Sequence, residues 1–207
     1  YMYAQTPQIG MNAWKGNSND QDLFWHTYGM GIWGMYLDQH VGGNELVRAT
    51  WEASQGEWCS YCIWMPDVIE ELGYDFDELM MGYMAHTAMM DYRDRGSITD
   101  AKRADTVRSL PDEGSPSSSM RPQSLGINII EFEEGAGSSG KDLEVIFEGS
   151  GSADRWLVVL TSGSTSVEQM LEFDLDDGQS GKGRIPFEGD EPAYLVVSPV
   201  YSRAQGT

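Results

Sequence analysis

DQDLFWHTYGMGIWGMYLDQHVGGNELVRATWEA, residues 20–53, decides how the first half of this chain is read. Between Leu23 and Leu37 no side chain carries a formal charge unless His26 is protonated. Phe24, Tyr28 and Ile32 fall on one four-residue step, and Trp25, Trp33 and Leu37 on a second. Helical spacing is satisfied on nearly every face, and a helix that is apolar all round is a buried one. A first helix is expected from about Asp20 to His40, with Asn17-Ser18-Asn19-Asp20 before it as capping residues and Gly42-Gly43 as its stop. Gly29, Gly31 and Gly34 each cost about 1 kcal/mol of helix propensity against Ala. Close approach of another backbone is the expected compensation.

Three more helices follow. Asn44 caps the second, Glu45–Ser54, whose apolar side is Leu46, Val47 and Trp51. A short third begins near Pro66, a favourable first-turn residue, and ends at Gly73. The fourth runs from about Asp75 to Tyr92, with Phe76, Leu79, Met80, Tyr83, Met84, His86 and Met90 as a wide buried face. Its methionines read as gap-filling core residues. Residues 93–124 are polar, and the Ser/Pro/Gly-rich stretch 111–124 reads as a linker.

From Leu125 the period switches to alternating or short apolar runs between turns. The expected strands are Gly126–Phe132, Leu143–Phe147, Trp156–Thr161, Val167–Phe173, Gly183–Phe187 and Ala193–Val200. Short strands this closely spaced suggest a small antiparallel sandwich. The fold class is therefore α+β: a helical subdomain over residues 1–110, a linker over 111–124 and a β-sandwich over 125–207. The run Asp174, Asp176, Asp177 reads as a solvated turn, because Gly178 does not fall where an EF-hand loop needs it.

Composition narrows the partners. Hydrophobic residues make up 40% of the 207, enough for a core, and the formal net charge is −20. Acidity of that size argues against nucleic acid or an anionic membrane surface as partner and fits a soluble, salty or extracellular setting. The Leu23–Leu37 run is shorter than the roughly 20 apolar residues a bilayer span needs. The opening YMYAQTPQIG has no basic n-region, no apolar h-region and no initiating Met, so a mature or trimmed fragment is expected.

Few residues carry chemistry. Cys59 and Cys62 form a single C-x-x-C. Such a pair serves as a redox centre, half of a zinc site or a small structural disulfide. What precedes it is helical rather than βαβ, which favours a local disulfide in a secreted protein, with free thiols next. H-E-x-x-H, G-x-S-x-G and a phosphate loop are missing from the sequence, and no G-x-G-x-x-G opens a helix after a strand. His26 and Tyr28 are the most suggestive pair. In an apolar helix each needs a hydrogen-bond partner, and the bland reading is that they satisfy each other or the backbone. The functional reading is that they donate to a developing oxyanion opposite a metal. His40 is expected to interact with the last carbonyls of its own helix, and His86 reads as core or edge.

The order of Tyr28, Gly29, Trp33, Tyr36, Leu37, His40, Gly42 and Gly43, followed by Val47, Arg48, Trp51 and Glu52, resembles a segment of secreted bacterial zinc metallopeptidase-like proteins of the gluzincin type. The stretch FDELMMGYMAHTAMMDYRD looks like the helix that closes the same catalytic domain, and the β-rich tail like its accessory sandwich. The resemblance implies that residues 1–110 are the C-terminal, helical half of a peptidase domain. His26 and Tyr28 would then be auxiliary transition-state groups on the far wall of the cleft. Zinc and its general base would come from an upstream half or a second chain, with none bound by this chain alone. The expected function is thus a fragment or subunit of a secreted zinc metallopeptidase-like protein, acting on a protein or peptide substrate only once completed. The main rival is a non-catalytic extracellular binding or self-assembly module, and a redox protein built on Cys59 and Cys62 comes last.

Overall fold

The computed structural model describes residues 31–54, 65–93, 95–97, 100–115, 120–133, 141–149, 153–187 and 191–201. Helix α1 (Gly31–Tyr36) continues into a π-helical turn, Leu37–Val41, closed by Gly42 N–H donating to Leu37 O at 3.1 Å. Helices α2 (Gly43–Ser54), α3 (Met65–Glu71) and α4 (Phe76–Met89) follow. Gly43 opens α2 at φ +66°, a left-handed conformation that glycine adopts without strain. Asp75 caps α4, its side chain accepting from Glu78 N–H at 3.0 Å.

Among the described residues seven strands complete an α+β fold: β1 (Asp105–Val107), β2 (Asn128–Phe132), β3 (Lys141–Glu148), β4 (Arg155–Ser162), β5 (Gln169–Glu172), β6 (Ser180–Phe187) and β7 (Ala193–Val200). One sheet has the order β1-β2-β7-β4-β5, and β3 pairs with β6 in a second. All pairings are antiparallel except β1 with β2, so the larger sheet is mixed. β1 is an addition to the expected strands. It lies before the stretch 111–124 and pairs with β2 beyond it, Val107 opposite Phe132.

Both faces of the larger sheet are covered, and the strand sequences alternate accordingly. Ile129, Leu157, Val159, Tyr194, Val196 and Val200 point to the helices, in a cluster with Trp33, Tyr36, Met80 and Tyr83. Phe132, Val158, Leu160, Leu195 and Val197 point the other way, against Leu143, Val145, Ile185 and Phe187 of the smaller sheet. Central strand β7 is therefore buried at every position, which is why AYLVVSPV reads as an apolar run rather than an alternation. Pro199 falls where β7 has run past β2. Its carbonyl accepts from Leu125 N–H at 2.9 Å.

Among the described residues, α4 is the most deeply buried helix: Phe76, Leu79, Met80, Gly82, Tyr83, Met84, Ala85, Thr87, Ala88 and Met89 are all inside. Its methionines sit in the core as expected. Trp33 of α1 meets Tyr83 edge-on at 5.2 Å between centroids and Phe76 at 6.4 Å, and Tyr36 meets Tyr83 at 5.8 Å. Burying each such ring contributes roughly 1.5–3 kcal/mol.

Two expectations need correction. Among the described residues a Cβ at Gly31 or Gly34 meets no atom within 4 Å, so no close backbone approach within them explains those glycines. The close approach is at Gly82, against the Tyr36 side chain. On α2 the apolar side is Leu46 and Val47 alone, while Trp51 is 71% exposed. Residues 20–30 of the expected first helix, Gly29 among them, lie outside the described residues. No helix among the described residues is long and apolar enough to cross a membrane.

Candidate functional site

The site begins at the end of α4. Met90 is left-handed at φ 51°, an uncommon conformation for a residue with a side chain. It produces a Schellman motif, with Met90 N–H donating to Thr87 O at 3.2 Å and Asp91 N–H to His86 O at 2.9 Å. Turning the chain back this way sets Asp91 over the last turn of α4. Its carboxylate Oδ2 then lies 2.9 Å from His86 Nδ1 and accepts from Val167 N–H at 3.2 Å.

A carboxylate only accepts, so His86 Nδ1 carries the proton of that bond and Nε2 keeps a lone pair. Burial pushes His86 below its ordinary range, and neighbouring His40 pushes the same way, with Asp91 opposing both.

The π-helical turn brings the second half. Asp38, Gln39 and His40 are consecutive, and all three reach the loop after α4. Asp38 Oδ2 accepts from Arg93 at 2.6 Å, and Gln39 Oε1 from Arg93 N–H at 2.7 Å. His40 Nε2 lies 2.7 Å from the Asp91 carbonyl oxygen and so donates to it. Its partner is thus a carbonyl beyond α4, not one of its own helix as expected. π-Turns recur where a helix must present side chains out of α-helical register.

The two imidazoles stack at 3.7 Å between centroids, 28° apart. Tyr36 lies against both rings, at 5.9 Å from His40 and 5.7 Å from His86, and Tyr92 against His40 at 5.8 Å. Tyr92 and Thr87 hydroxyls bond each other at 2.8 Å. Burial, with Glu78 adding, pushes the Tyr36 hydroxyl up to about 12, so it stays protonated and neutral at ordinary pH. His40 is exposed while His86 and Asp91 are half-buried, so the cluster opens to solvent on one side.

His26, Tyr28, Cys59 and Cys62 all lie outside the described residues. The acidic run expected as a turn is one: Asp176 O accepts from Gln179 N–H at 2.8 Å, and its side chain from Ser180 N–H at 2.9 Å. Sequence reasoning placed His40 and His86 on different helices and left Asp91 unremarked. The usable signal was a polar residue just after a helix end, with a histidine five positions before it. No protein-family model, curated protein or solved structure matches the chain.

Proposed function

We propose that this chain is the helical part and accessory sandwich of a secreted zinc metallopeptidase-like protein, completing a catalytic cleft whose zinc-binding half lies elsewhere. The observation that carries the proposal is how the residues of the resemblance divide. Trp33, Tyr36 and Leu37 are buried against α4, while Trp51 of the same pattern stands 71% exposed on α2. An exposed tryptophan within the matched pattern offers apolar surface that a further element could cover. Zinc would then be supplied from the other half, with Glu as general base. His26 and Tyr28 would assist the transition state from this side.

The test is the parent gene. An H-E-x-x-H upstream of Tyr1, and zinc-dependent peptide hydrolysis by the two halves together, are the expected results. A reading frame or partner chain that never supplies such a motif would overturn the proposal.

A second reading, a binding or self-assembly module, draws on β3. Among the described residues that eight-residue strand pairs with β6 alone, and Ile146 on it is 69% exposed. An open strand edge can accept a strand from another chain. Concentration-dependent oligomers that an Ile146→Lys variant abolishes would favour it over the peptidase role.

A further inference from the structure

We infer that His40, His86 and Asp91 form a binding site for a divalent transition-metal ion, with zinc the best match. One ligating atom from each lies within 4.8 Å of the other two, and no other such group occurs among the described residues. Two imidazole nitrogens and a carboxylate oxygen are the donor types that zinc and its neighbours in the first row prefer. A tetrahedral zinc with bonds of about 2.0–2.1 Å sets its ligand atoms roughly 3.3 Å apart. The cluster therefore needs to close by about 1.5 Å at most, relative to that spacing.

The structure holds the parts that would make this closure small. The stacked rings already run side by side at 3.7 Å. His40 is exposed, so its side chain has room to adjust. His86 is fixed on α4, and Asp91 is oriented by Val167 N–H, the kind of outer hydrogen bond that positions a ligating carboxylate. A metal ion on His86 Nδ1 takes the place of the proton shared with Asp91 Oδ2, and the neutral ring then carries its proton on Nε2 instead. With three ligands from the chain, at least one coordination position faces solvent through the exposed His40 side. A bound ion would join the π-helical turn, the end of α4 and, through Asp91, the loop before β5.

The inference uses only described residues and does not depend on the peptidase proposal. A titration of the 207-residue chain with zinc alone tests it, followed by calorimetry, and with cobalt(II) by its visible absorption. One equivalent bound is expected, with unchanged binding in a Cys59→Ser/Cys62→Ser variant. His40→Ala, at an exposed position that does not threaten folding, is expected to weaken binding at least tenfold, as is the near-isosteric Asp91→Asn. Circular dichroism of each variant verifies its fold. Three results would overturn the site: no stoichiometric uptake, uptake that survives His40→Ala, or uptake lost only when the cysteines are removed. None of them bears on whether an upstream H-E-x-x-H exists.

Discussion

The Tyr36 hydroxyl occupies the space that a side chain at Gly82 would fill. A Cβ there would overlap the hydroxyl oxygen and come within 3.1 Å of Cζ. Tyr36 is buried and held by Trp33, Tyr83 and the two histidines, so its ring has little freedom to retreat. Gly82→Ala is expected to destabilise the protein by about 1–3 kcal/mol, the usual cost of overpacking. This holds although Ala is the better helix former by about 1 kcal/mol. Tyr36→Phe removes the atom that clashes most, so the double variant is expected to recover part of the loss. Chemical denaturation of the four proteins measures the coupling. Additive effects would show that α1 and α4 do not meet at this point.

Arg155 joins sheet to helix. Its Nε and Nη2 donate to Asp77 Oδ2 and Oδ1 at 2.8 and 2.7 Å, linking the first residue of β4 to the first turn of α4. The paired geometry belongs to a guanidinium and a lysine cannot reproduce it. Both side chains are partly exposed, so solvent screens the pair. Arg155→Lys is expected to cost roughly 0.5–1 kcal/mol. A cycle with Asp77→Asn should return a coupling of similar size. A coupling within error of zero would mean that the bridge adds nothing to docking of α4.

Asn128 is fully buried on the sheet face that carries Ile130 and Phe132, and neither its Nδ2 nor its Oδ1 has a hydrogen-bond partner among the described residues. Burying an unpaired amide costs about 1–3 kcal/mol. Asn128→Val, which also suits a strand, is expected to stabilise the fold by about 1 kcal/mol. Thermal unfolding measures it, and a lower midpoint would show that the amide is satisfied in the folded protein.

These sites differ in how far the sequence announces them. Strands β2 to β7 fall within three residues of their expected places, because alternating apolar residues between Gly- and Asp-rich turns leave few registers. The all-round burial of β7 has a different signature, the near-continuous apolar run AYLVVSPV. Asp105–Val107 has no signature of its own, since a three-residue edge strand in a polar stretch carries no period. Trp51 was misplaced for a different reason. It lies on the apolar side of α2 by spacing, but spacing says nothing of whether another element covers that side. The His40–His86–Asp91 cluster was out of reach, since it depends on a π-helical turn and on a left-handed Met90. Both are local departures from the regular geometry on which periodicity arguments rest.

Glu172 ends β5 near the acidic start of α4. Burial raises its carboxyl above the usual 4.5, and Glu78 and Asp75 raise it further. The folded protein therefore holds the proton more tightly than the unfolded chain does. Stability from this group is fully present below about pH 4.5 and declines as pH rises through the folded value. At pH 7 the ionised carboxylate opposes folding. Glu172→Gln is then expected to raise the unfolding midpoint at pH 7, by roughly 1 °C given the exposure of the group. The advantage over the parent should shrink steadily toward pH 4, where both side chains are neutral. Salt at about 0.5 M should reduce it only in part, because it screens Glu78 and Asp75 but leaves desolvation in place. A gain that stayed constant from pH 7 to pH 4 would show that the glutamine acts through packing, not charge.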